Sequence, residues 1–210
     1  MLIPFSECIK ILKTHNISVK GILHIGAHEC EELKDYITEG VYPGKIDWIE
    51  ANAVIAERMK SRGVPNIHNF AVDSEEGEAE FFVTNNGQSS SLLKFGTHEQ
   101  SYPWCKVTEV QKVQKKRLDT FFGEHSEINV SERNFWNLDI QGSELNALKS
   151  ASDHLNSVDA VYSEINIQYV YQNCGLLQEM DTFLEEKGFK RIKTVMTDAG
   201  WGDALWVRTK

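Results

Sequence analysis

The chain has 210 residues, of which 41% are hydrophobic and 25% are charged, and its formal net charge is −9. These values predict one globular domain with a full hydrophobic core. They disfavour a nucleic-acid partner, because a phosphate backbone is bound by a basic surface. No apolar run approaches the ~20 residues that cross a bilayer, and the four cysteines form no CxxC pair. We therefore expect a cytoplasmic protein with free thiols and no membrane span.

The first 72 residues alternate between helical and strand patterns. Residues 4–15 carry apolar side chains at helical spacing and predict an N-terminal helix. After it, short apolar runs typical of buried parallel strands alternate with amphipathic segments. This β-α-β-α-β order is typical of the first half of a doubly wound sheet. The predicted strands cover residues 21–25, 45–50 and 67–72, and the helices between them cover residues 29–39 and 53–62.

An insertion interrupts this order after the third strand. Residues 78–84 and 107–113 have strand-like patterns and predict a β-hairpin. The polar stretch 85–104 between them contains Gly87, three serines and Pro103. We expect this stretch to form a lid or substrate loop, because a long polar connection inside a compact domain is commonly functional.

The alternating pattern resumes at residue 134. Residues 199–202 read as a turn before the last strand. We expect residues 1–210 to form a single α/β domain whose core spans residues 21–208. The predicted strands of this half cover residues 134–140, 160–165, 189–195 and 203–207, and the helices cover residues 143–151 and 176–187.

The turn after the first strand has the features of a nucleotide-type cofactor site. Gly26 stands where the chain leaves the strand, and glycine lets a ligand approach the backbone closely. Glu50 ends the second strand, where a carboxylate can accept hydrogen bonds from both ribose hydroxyls. A dinucleotide loop needs G-x-G-x-x-G for its pyrophosphate, whereas this loop has one glycine followed by Glu29, Glu31 and Glu32. These acidic residues disfavour a phosphate and favour S-adenosylmethionine, which carries a sulfonium and an amino group.

Eight segments of the chain, taken in order, match the pattern of one methyltransferase family. Residues 139–144 fit the D-[IV]-[EQ]-G-x-E pattern of its fourth core strand. The segments cover residues 24–28, 48–52, 69–72, 89–92, 117–119, 137–144, 163–166 and 200–204, and with them the chain resembles the FkbM family from about residue 21 to residue 207.

This resemblance implies a Rossmann-like class I methyltransferase fold. The expected sheet has seven mostly parallel strands with the last strand antiparallel, and helices cover both faces. The implied activity is S-adenosylmethionine-dependent O-methylation of a sugar hydroxyl in a glycan or a glycosylated metabolite. The first loop departs from the G-A-N-x-G form of the family, because His28 replaces the asparagine and Cys30 replaces the second glycine.

The first loop, the strand ends and the resemblance together predict the cofactor contacts. A structural role is the alternative for some of them, with His24 as a core histidine and Asp73 in a solvated turn. Ser90 and Ser91 could likewise belong to a flexible loop. The predicted cofactor-binding residues are His24, Gly26, Ala27, His28, Glu50, Ala51, Asn52, Ala71, Val72, Asp73, Ser90, Ser91, Asp139 and Gln141.

Three oxygen-bearing side chains follow the fourth and fifth core strands. Asp139 and Glu164 end these strands and Asn166 follows, so the three are expected at one edge of the sheet. A sugar hydroxyl needs a general base or a divalent cation to lose its proton. We predict Asp139 and Glu164 as catalytic residues, either as a metal-free base or, with Asn166, as ligands of Mg²⁺ or Mn²⁺. His28 is a third catalytic candidate, and holding the cofactor amino group or capping the next helix is the alternative role of Asp139.

Four aromatic residues are candidates for the acceptor site, because aromatic faces stack on sugar rings. They are Tyr102, Trp104, Tyr169 and Tyr171, and the alternative is that they pack a lid against the core. Two other functions stay open at this level. A nicotinamide-dependent oxidoreductase is disfavoured by the missing glycines. A non-catalytic binding module is disfavoured by the presence of Gly26, Glu50 and Asp139.

Overall fold

The structure is a computed structural model that describes residues 1–209, with the backbone alone for Ser152. Its strands are β1 (Ile22–Ile25), β2 (Ile46–Glu50), β3 (Ile67–Asn69), β4 (Ala71–Val72), β5 (Gly77–Thr84), β6 (Val107–Lys116), β7 (Phe135–Leu138), β8 (Ala160–Asn166), β9 (Phe189–Met196) and β10 (Trp201–Arg208). Its α-helices are α1 (Phe5–Thr14), α2 (Leu33–Thr38), α3 (Ala53–Ser61), α4 (His98–Ser101), α5 (Leu118–Glu124), α6 (Glu144–Lys149) and α7 (Leu177–Glu186).

Seven of the strands form one sheet in the order β3-β2-β1-β7-β8-β10-β9. The first five of these strands pair in parallel, whereas β10 is antiparallel to both β8 and β9. This confirms the Rossmann-like class I methyltransferase sheet with an antiparallel last strand. The strand order reverses between β1 and β7, and ligands of such sheets bind at this point, beyond the carboxyl ends of the strands.

Helices cover both faces of the sheet, so the central strands are buried throughout. All four residues of β1 are buried, as expected for a parallel strand between two helical layers. Leu23 and Ile25 belong to the core that includes α5, α6 and α7. Ile22 belongs to the opposite core, which includes α1, α2 and α3. The alternation therefore directs His24, between Leu23 and Ile25, toward the α1–α3 side of the sheet.

The predicted insertion after the third strand is a small sheet of its own. β5 and β6 pair antiparallel, and β4 pairs with β6 in parallel. The predicted strand 67–72 is therefore wrong as one unit, because β3 extends the main sheet and β4 joins the insertion. Phe70 separates them, and its buried ring packs 5.2 Å from that of Phe121.

Other elements also differ from the sequence predictions. The helix predicted for residues 29–39 begins only at Leu33, because His28 and Cys30 have φ angles of 42° and 55°. These left-handed conformations are incompatible with a right-handed helix. Residues 199–202 are not all turn, since β10 begins at Trp201. Helix α5 was not predicted at all.

The remaining sequence expectations concern membranes and thiols. Among residues 1–209, no helix combines the length and apolarity needed to span a membrane. Cys8, Cys30, Cys105 and Cys174 are free and buried. Their thiols therefore act as small apolar groups of the interior.

Candidate functional site

Two cavities lie side by side at the carboxyl ends of the parallel strands. The first, here called the apolar cavity, is lined by Glu50, Phe70, Phe81 and Leu92 among others. The second, here called the acidic cavity, is lined by five carboxylates and several aromatic rings. Gly26, His28, Gln88 and Asp139 line both cavities.

Gly26 lies where the chain leaves β1, against the residue that follows β7. Its φ angle is +89°, a conformation that glycine adopts without strain. A Cβ at this position would lie 1.9 Å from the carbonyl oxygen of Asp139. Glycine at position 26 therefore has a second reason besides ligand approach, because any side chain there would clash with the backbone of Asp139.

Glu50 is a buried carboxylate at the edge of the apolar cavity. Its Oε2 accepts a hydrogen bond from the backbone nitrogen of His28 at 2.7 Å, and its Oε1 accepts one from that of Asn52 at 2.7 Å. Burial raises the pKa of this carboxyl, although the two backbone donors oppose the shift. A carboxylate has about four acceptor sites, so Glu50 keeps capacity for the paired hydroxyls of a ribose.

The rest of the apolar cavity suits a flat aromatic ligand. Ala51, Asn52, Ala71, Val72 and Ser90 line it, as predicted for cofactor contacts. Asn52 also caps α3, because its side chain accepts hydrogen bonds from the backbone of Val54 and Ile55. The cavity combines apolar walls with few polar groups, which is the usual make-up of a small-molecule site.

Asp139 and Glu164 converge, as the sequence predicted. The amide nitrogen of Gln141 donates to Oδ1 of Asp139 at 2.6 Å and to Oε2 of Glu164 at 2.8 Å. The hydroxyl of Tyr171 donates to Oε1 of Gln141 at 2.5 Å, which orients the amide. The hydroxyl of Ser91 donates to the carbonyl oxygen of Gln141 at 2.7 Å. Gln141 is therefore held from both ends while it joins the two carboxylates.

Burial and mutual repulsion raise the pKa of both members of this carboxylate pair. Burial, and then Asp203, raise the pKa of Asp139. Burial, and then Asp139, raise the pKa of Glu164 well above its ordinary value. Two neighbouring buried carboxylates cannot both ionise easily. Glu164 therefore holds a proton more readily than Asp139 does.

The predicted metal site does not fit this arrangement. Within residues 1–209, no group of three or more His, Cys, Asp or Glu side chains is placed to hold a metal ion. The amide nitrogen of Gln141 donates to both carboxylates, and so occupies the bridging position that a shared cation would need. Asn166 is fully buried, does not line either cavity, and neither amide atom has a hydrogen-bond partner in the described chain.

His28 sits between the first loop and the inserted loop. Its Nδ1 lies 2.6 Å from Oε1 of Glu31, and this hydrogen bond raises the pKa of the imidazole. A carboxylate partner favours the protonated form of the imidazole, which is not the form that acts as a general base. A Cβ at Gly87 would lie 2.7 Å from Nε2 of His28, so the inserted loop packs directly on this ring. The geometry thus favours a contact role for His28 over the predicted catalytic one.

His24 belongs to a buried polar chain below the acidic cavity. Asn137 donates to the Tyr36 hydroxyl at 2.7 Å, and that oxygen lies 3.1 Å from Nδ1 of His24. Burial lowers the pKa of His24 to about 4, so the ring is neutral at pH 7. His24 and Ala27 line the acidic cavity and not the apolar one. Their position agrees better with the core alternative than with a contact to the adenosine part of a cofactor.

The inserted loop supplies part of the aromatic wall of the acidic cavity. Tyr102 and Trp104 line it as predicted, together with Tyr171. The fourth predicted acceptor residue, Tyr169, is 55% exposed and lies outside the lining. Trp201 lines the cavity and donates from its indole nitrogen to the Tyr102 hydroxyl at 2.9 Å.

Two predicted cofactor residues are engaged elsewhere. Asp73 lines neither cavity, because its carboxylate binds Lys115 at 2.6 Å and Asn146 at 3.1 Å. Ser91 is buried and is used to hold Gln141. Both positions therefore support the fold around the site instead of lining it.

Several site residues were not predicted from the sequence. Glu144 was recognised only as part of a motif, and it accepts hydrogen bonds from the backbone nitrogens of Ile140 and Gly142, which shapes the loop after Asp139. Asp203 lies in a matched segment and was predicted only as the first residue of the last strand. No local pattern marks His98. Glu32, His98, Trp201 and Asp203 all line the acidic cavity.

Comparison with known proteins gives one family and a set of solved structures. The family model described as "Methyltransferase FkbM domain" matches residues 24–191. No curated protein matches the chain. The methyltransferase domain of bacterial CtHen1-C is 11% identical, covers 100% of this chain and 98% of its own, and has a TM-score of 0.49. Magnesium protoporphyrin IX methyltransferase (ChlM) from Synechocystis PCC 6803 is 8% identical, with coverages of 97% and 77% and a TM-score of 0.47.

Proposed function

Because the chain belongs to the FkbM methyltransferase family, we propose that it transfers a methyl group from S-adenosylmethionine to a sugar hydroxyl of a glycan or a glycosylated metabolite. One observation carries this proposal. Asp139 lines both the apolar and the acidic cavity, so a cofactor in the first and an acceptor in the second would meet beside one carboxylate.

The apolar cavity has the features that S-adenosylmethionine needs. Glu50 would accept hydrogen bonds from the ribose hydroxyls, and Phe70 and Phe81 would enclose the adenine. The Gly26 turn leaves room for the chain between ribose and sulfur. When bound, S-adenosylmethionine supplies a methyl group that its positively charged sulfur makes electrophilic.

Asp139 is the proposed general base. It would accept the proton of the acceptor hydroxyl while the oxygen receives the methyl group. The raised pKa of Asp139 brings it closer to neutral pH, where a carboxylate is a stronger base. Gln141 would keep Asp139 and Glu164 at a fixed separation, and Glu164, with the higher pKa, would hold its own proton.

The acidic cavity is the proposed acceptor site. Tyr102, Trp104 and Trp201 offer ring faces on which a sugar could stack. The catalysis proposed here needs no metal, since the Gln141 amide already joins the two carboxylates. His28, in an ion pair with Glu31, would contact the cofactor from the first loop.

The two rival functions lack comparable support. A dinucleotide would place its pyrophosphate beside Glu31 and Glu32 in the acidic cavity, which is electrostatically unfavourable. A non-catalytic module would not need a half-buried base at the junction of two cavities. Family membership favours a methyltransferase over both.

Methyl transfer to a panel of acceptors tests the proposal. The protein is incubated with methyl-labelled S-adenosylmethionine and a set of hexoses, amino sugars and glycosides, and the products are analysed by mass spectrometry. We expect a methyl group on a sugar oxygen and no product with the Asp139→Asn variant. Methylation only at nitrogen or carbon would contradict O-methylation.

A further inference from the structure

The wall of the acidic cavity carries an unusual charge pattern. Five carboxylates line it, and none of its described lining residues is a lysine or an arginine. Glu31 is paired with His28, and Glu32 lies 3.8 Å from the Met1 nitrogen. The five carboxylates are those of Glu31, Glu32, Asp139, Glu164 and Asp203.

Three of these carboxylates form no ion pair in the described chain, and the Met1 ammonium that attracts them already lies beside Glu32. Asp139 and Glu164 accept from the Gln141 amide. Asp203 accepts from the hydroxyl of Tyr162 and, at 2.5 Å, from the backbone nitrogen of Leu2. No ion pair within 4.0 Å involves Asp139, Glu164 or Asp203 among residues 1–209. Buried charge without a counter-ion is costly, and a cationic ligand would remove that cost.

Neither neighbouring histidine supplies the missing positive charge. Burial lowers the pKa of His24 to about 4 and also lowers that of His98. His98 lines the acidic cavity, is 5% exposed, and has no hydrogen-bond partner for its Nδ1 in the described chain. A neutral imidazole has one donor and one acceptor nitrogen, so this buried Nδ1 needs a hydrogen-bond partner. No group of the described chain supplies one, and a polar ligand in the cavity can.

Aromatic rings complete the environment of a cation. The Tyr102 ring lies 6.1 Å from that of Trp104 in an edge-to-face arrangement, and 5.0 Å from that of His98. Trp201 is fixed to Tyr102 by a hydrogen bond. Ring faces beside carboxylates are the combination that recognises ammonium groups.

We propose that the acceptor is an amino sugar whose protonated amino group is bound by Asp203 and the aromatic rings of the acidic cavity. This inference rests on the proposed function, because it describes the acceptor of that same reaction. The cofactor's own charges do not account for this part of the wall, since Asp203 lines the acidic cavity alone. The ammonium would anchor the sugar while a hydroxyl faces Asp139.

Binding of three matched sugars tests the proposal without requiring turnover. The protein, with and without S-adenosylhomocysteine, is titrated with glucosamine, N-acetylglucosamine and glucose and followed by nuclear magnetic resonance. We expect glucosamine to bind about tenfold more tightly than either neutral sugar, because a charge-assisted hydrogen bond replaces a neutral one. Raising the salt concentration from about 50 mM to about 500 mM should weaken the binding of glucosamine more than that of the neutral sugars, since ions screen the electrostatic attraction.

Two variants and one control connect the preference to the cavity. Asp203→Asn keeps acceptor oxygen for Tyr162 and Leu2 but removes the charge, so the preference should fall to less than about threefold. Trp104→Ala removes a 61% exposed ring and should weaken glucosamine severalfold without disturbing the core. Asp198→Asn, at an exposed position outside the cavity lining, should bind like the wild type.

The outcomes separate this inference from the proposed function. Equal affinities for the three sugars, no glucosamine binding, or an unchanged preference in Asp203→Asn would overturn the amino-sugar inference. Failure to bind S-adenosylhomocysteine would instead overturn the proposed function, and the titrations without that ligand would still measure the amino-group preference. Melting curves of both variants verify that they are folded.

Discussion

The apolar and acidic cavities share a wall but hold their carboxylates in different ways. Apart from the shared Asp139, the apolar cavity has one carboxylate, Glu50, which accepts hydrogen bonds from two backbone nitrogens. In the acidic cavity, Asp139 and Glu164 accept hydrogen bonds from the side chain of Gln141, and Asp203 accepts one from the side chain of Tyr162. The carboxylate of the first cavity is thus held by backbone donors, whereas those of the second depend largely on side-chain donors. This difference suits a constant cofactor on one side and a particular acceptor on the other.

The largest effect should come from the residue that both cavities share. Asp139→Asn removes the proposed base and should lower kcat by about 10²–10⁴-fold, which is the usual contribution of general base catalysis. Binding of S-adenosylhomocysteine should change little. A parallel loss of that binding, measured by calorimetry, would show instead that Asp139 holds the cofactor amino group.

The next effect concerns the apolar cavity alone. Glu50→Ala removes a charged acceptor of ribose hydroxyls and should weaken S-adenosylhomocysteine binding by about 100-fold, since hydrogen bonds to a charged group contribute about 1.5–3 kcal/mol each. Glu29→Ala is the matched control. Glu29 forms surface ion pairs with Arg58 and Arg62, which contribute little. Equal affinities of both variants, by calorimetry, would remove Glu50 from the cofactor site.

A smaller and pH-dependent effect is expected from Gln141→Leu. The Gln141 amide lowers the pKa of Asp139 and of Glu164 by donating to their charged forms. Without it both pKa values rise, so the ionised base is lost at a higher pH as the solution is acidified. We expect kcat to fall about tenfold, with a larger loss at pH 6 than at pH 8.

The control for this variant is Gln172→Leu, an exposed position next to Tyr171. It should keep the wild-type dependence of kcat on pH. An unchanged pH profile in Gln141→Leu would contradict a positioning role for this amide.

The smallest effect is expected from a chelator. If the Gln141 amide joins the carboxylates, excess EDTA should leave methyl transfer within about twofold of its starting rate, whereas removal of a catalytic metal would cost several kcal/mol of transition-state stabilisation. Loss of activity that Mg²⁺ or Mn²⁺ restores would reinstate the predicted metal site of Asp139, Glu164 and Asn166.

The two cavities also differ in how far the sequence predicted them. Gly26 and Glu50 lie at the carboxyl ends of strands that hydropathy identifies, and the rule for ligand position in open sheets places them together. Asp139 was found for the same reason. Local pattern and topology suffice where the ligand contacts strand ends.

The acidic cavity required contacts that no local pattern encodes. Asp203 follows Glu164 by 39 positions (203 − 164) and becomes its neighbour only when β10 inserts beside β8. His98 reaches the cavity through the inserted loop. Asp73 shows the converse, because a carboxylate after the third strand was expected near the cofactor but pairs with Lys115 of β6. The positions of Asp203, His98 and Asp73 all depend on contacts between distant parts of the chain.

Calorimetric titration of the protein with S-adenosylhomocysteine and, separately, with NADH tests the central claim most directly. A methyltransferase whose apolar cavity holds the adenosyl group should bind one S-adenosylhomocysteine per chain and no NADH, and Glu50→Ala should weaken that binding. Binding of NADH without S-adenosylhomocysteine, or an absence of S-adenosylhomocysteine binding, would contradict the account.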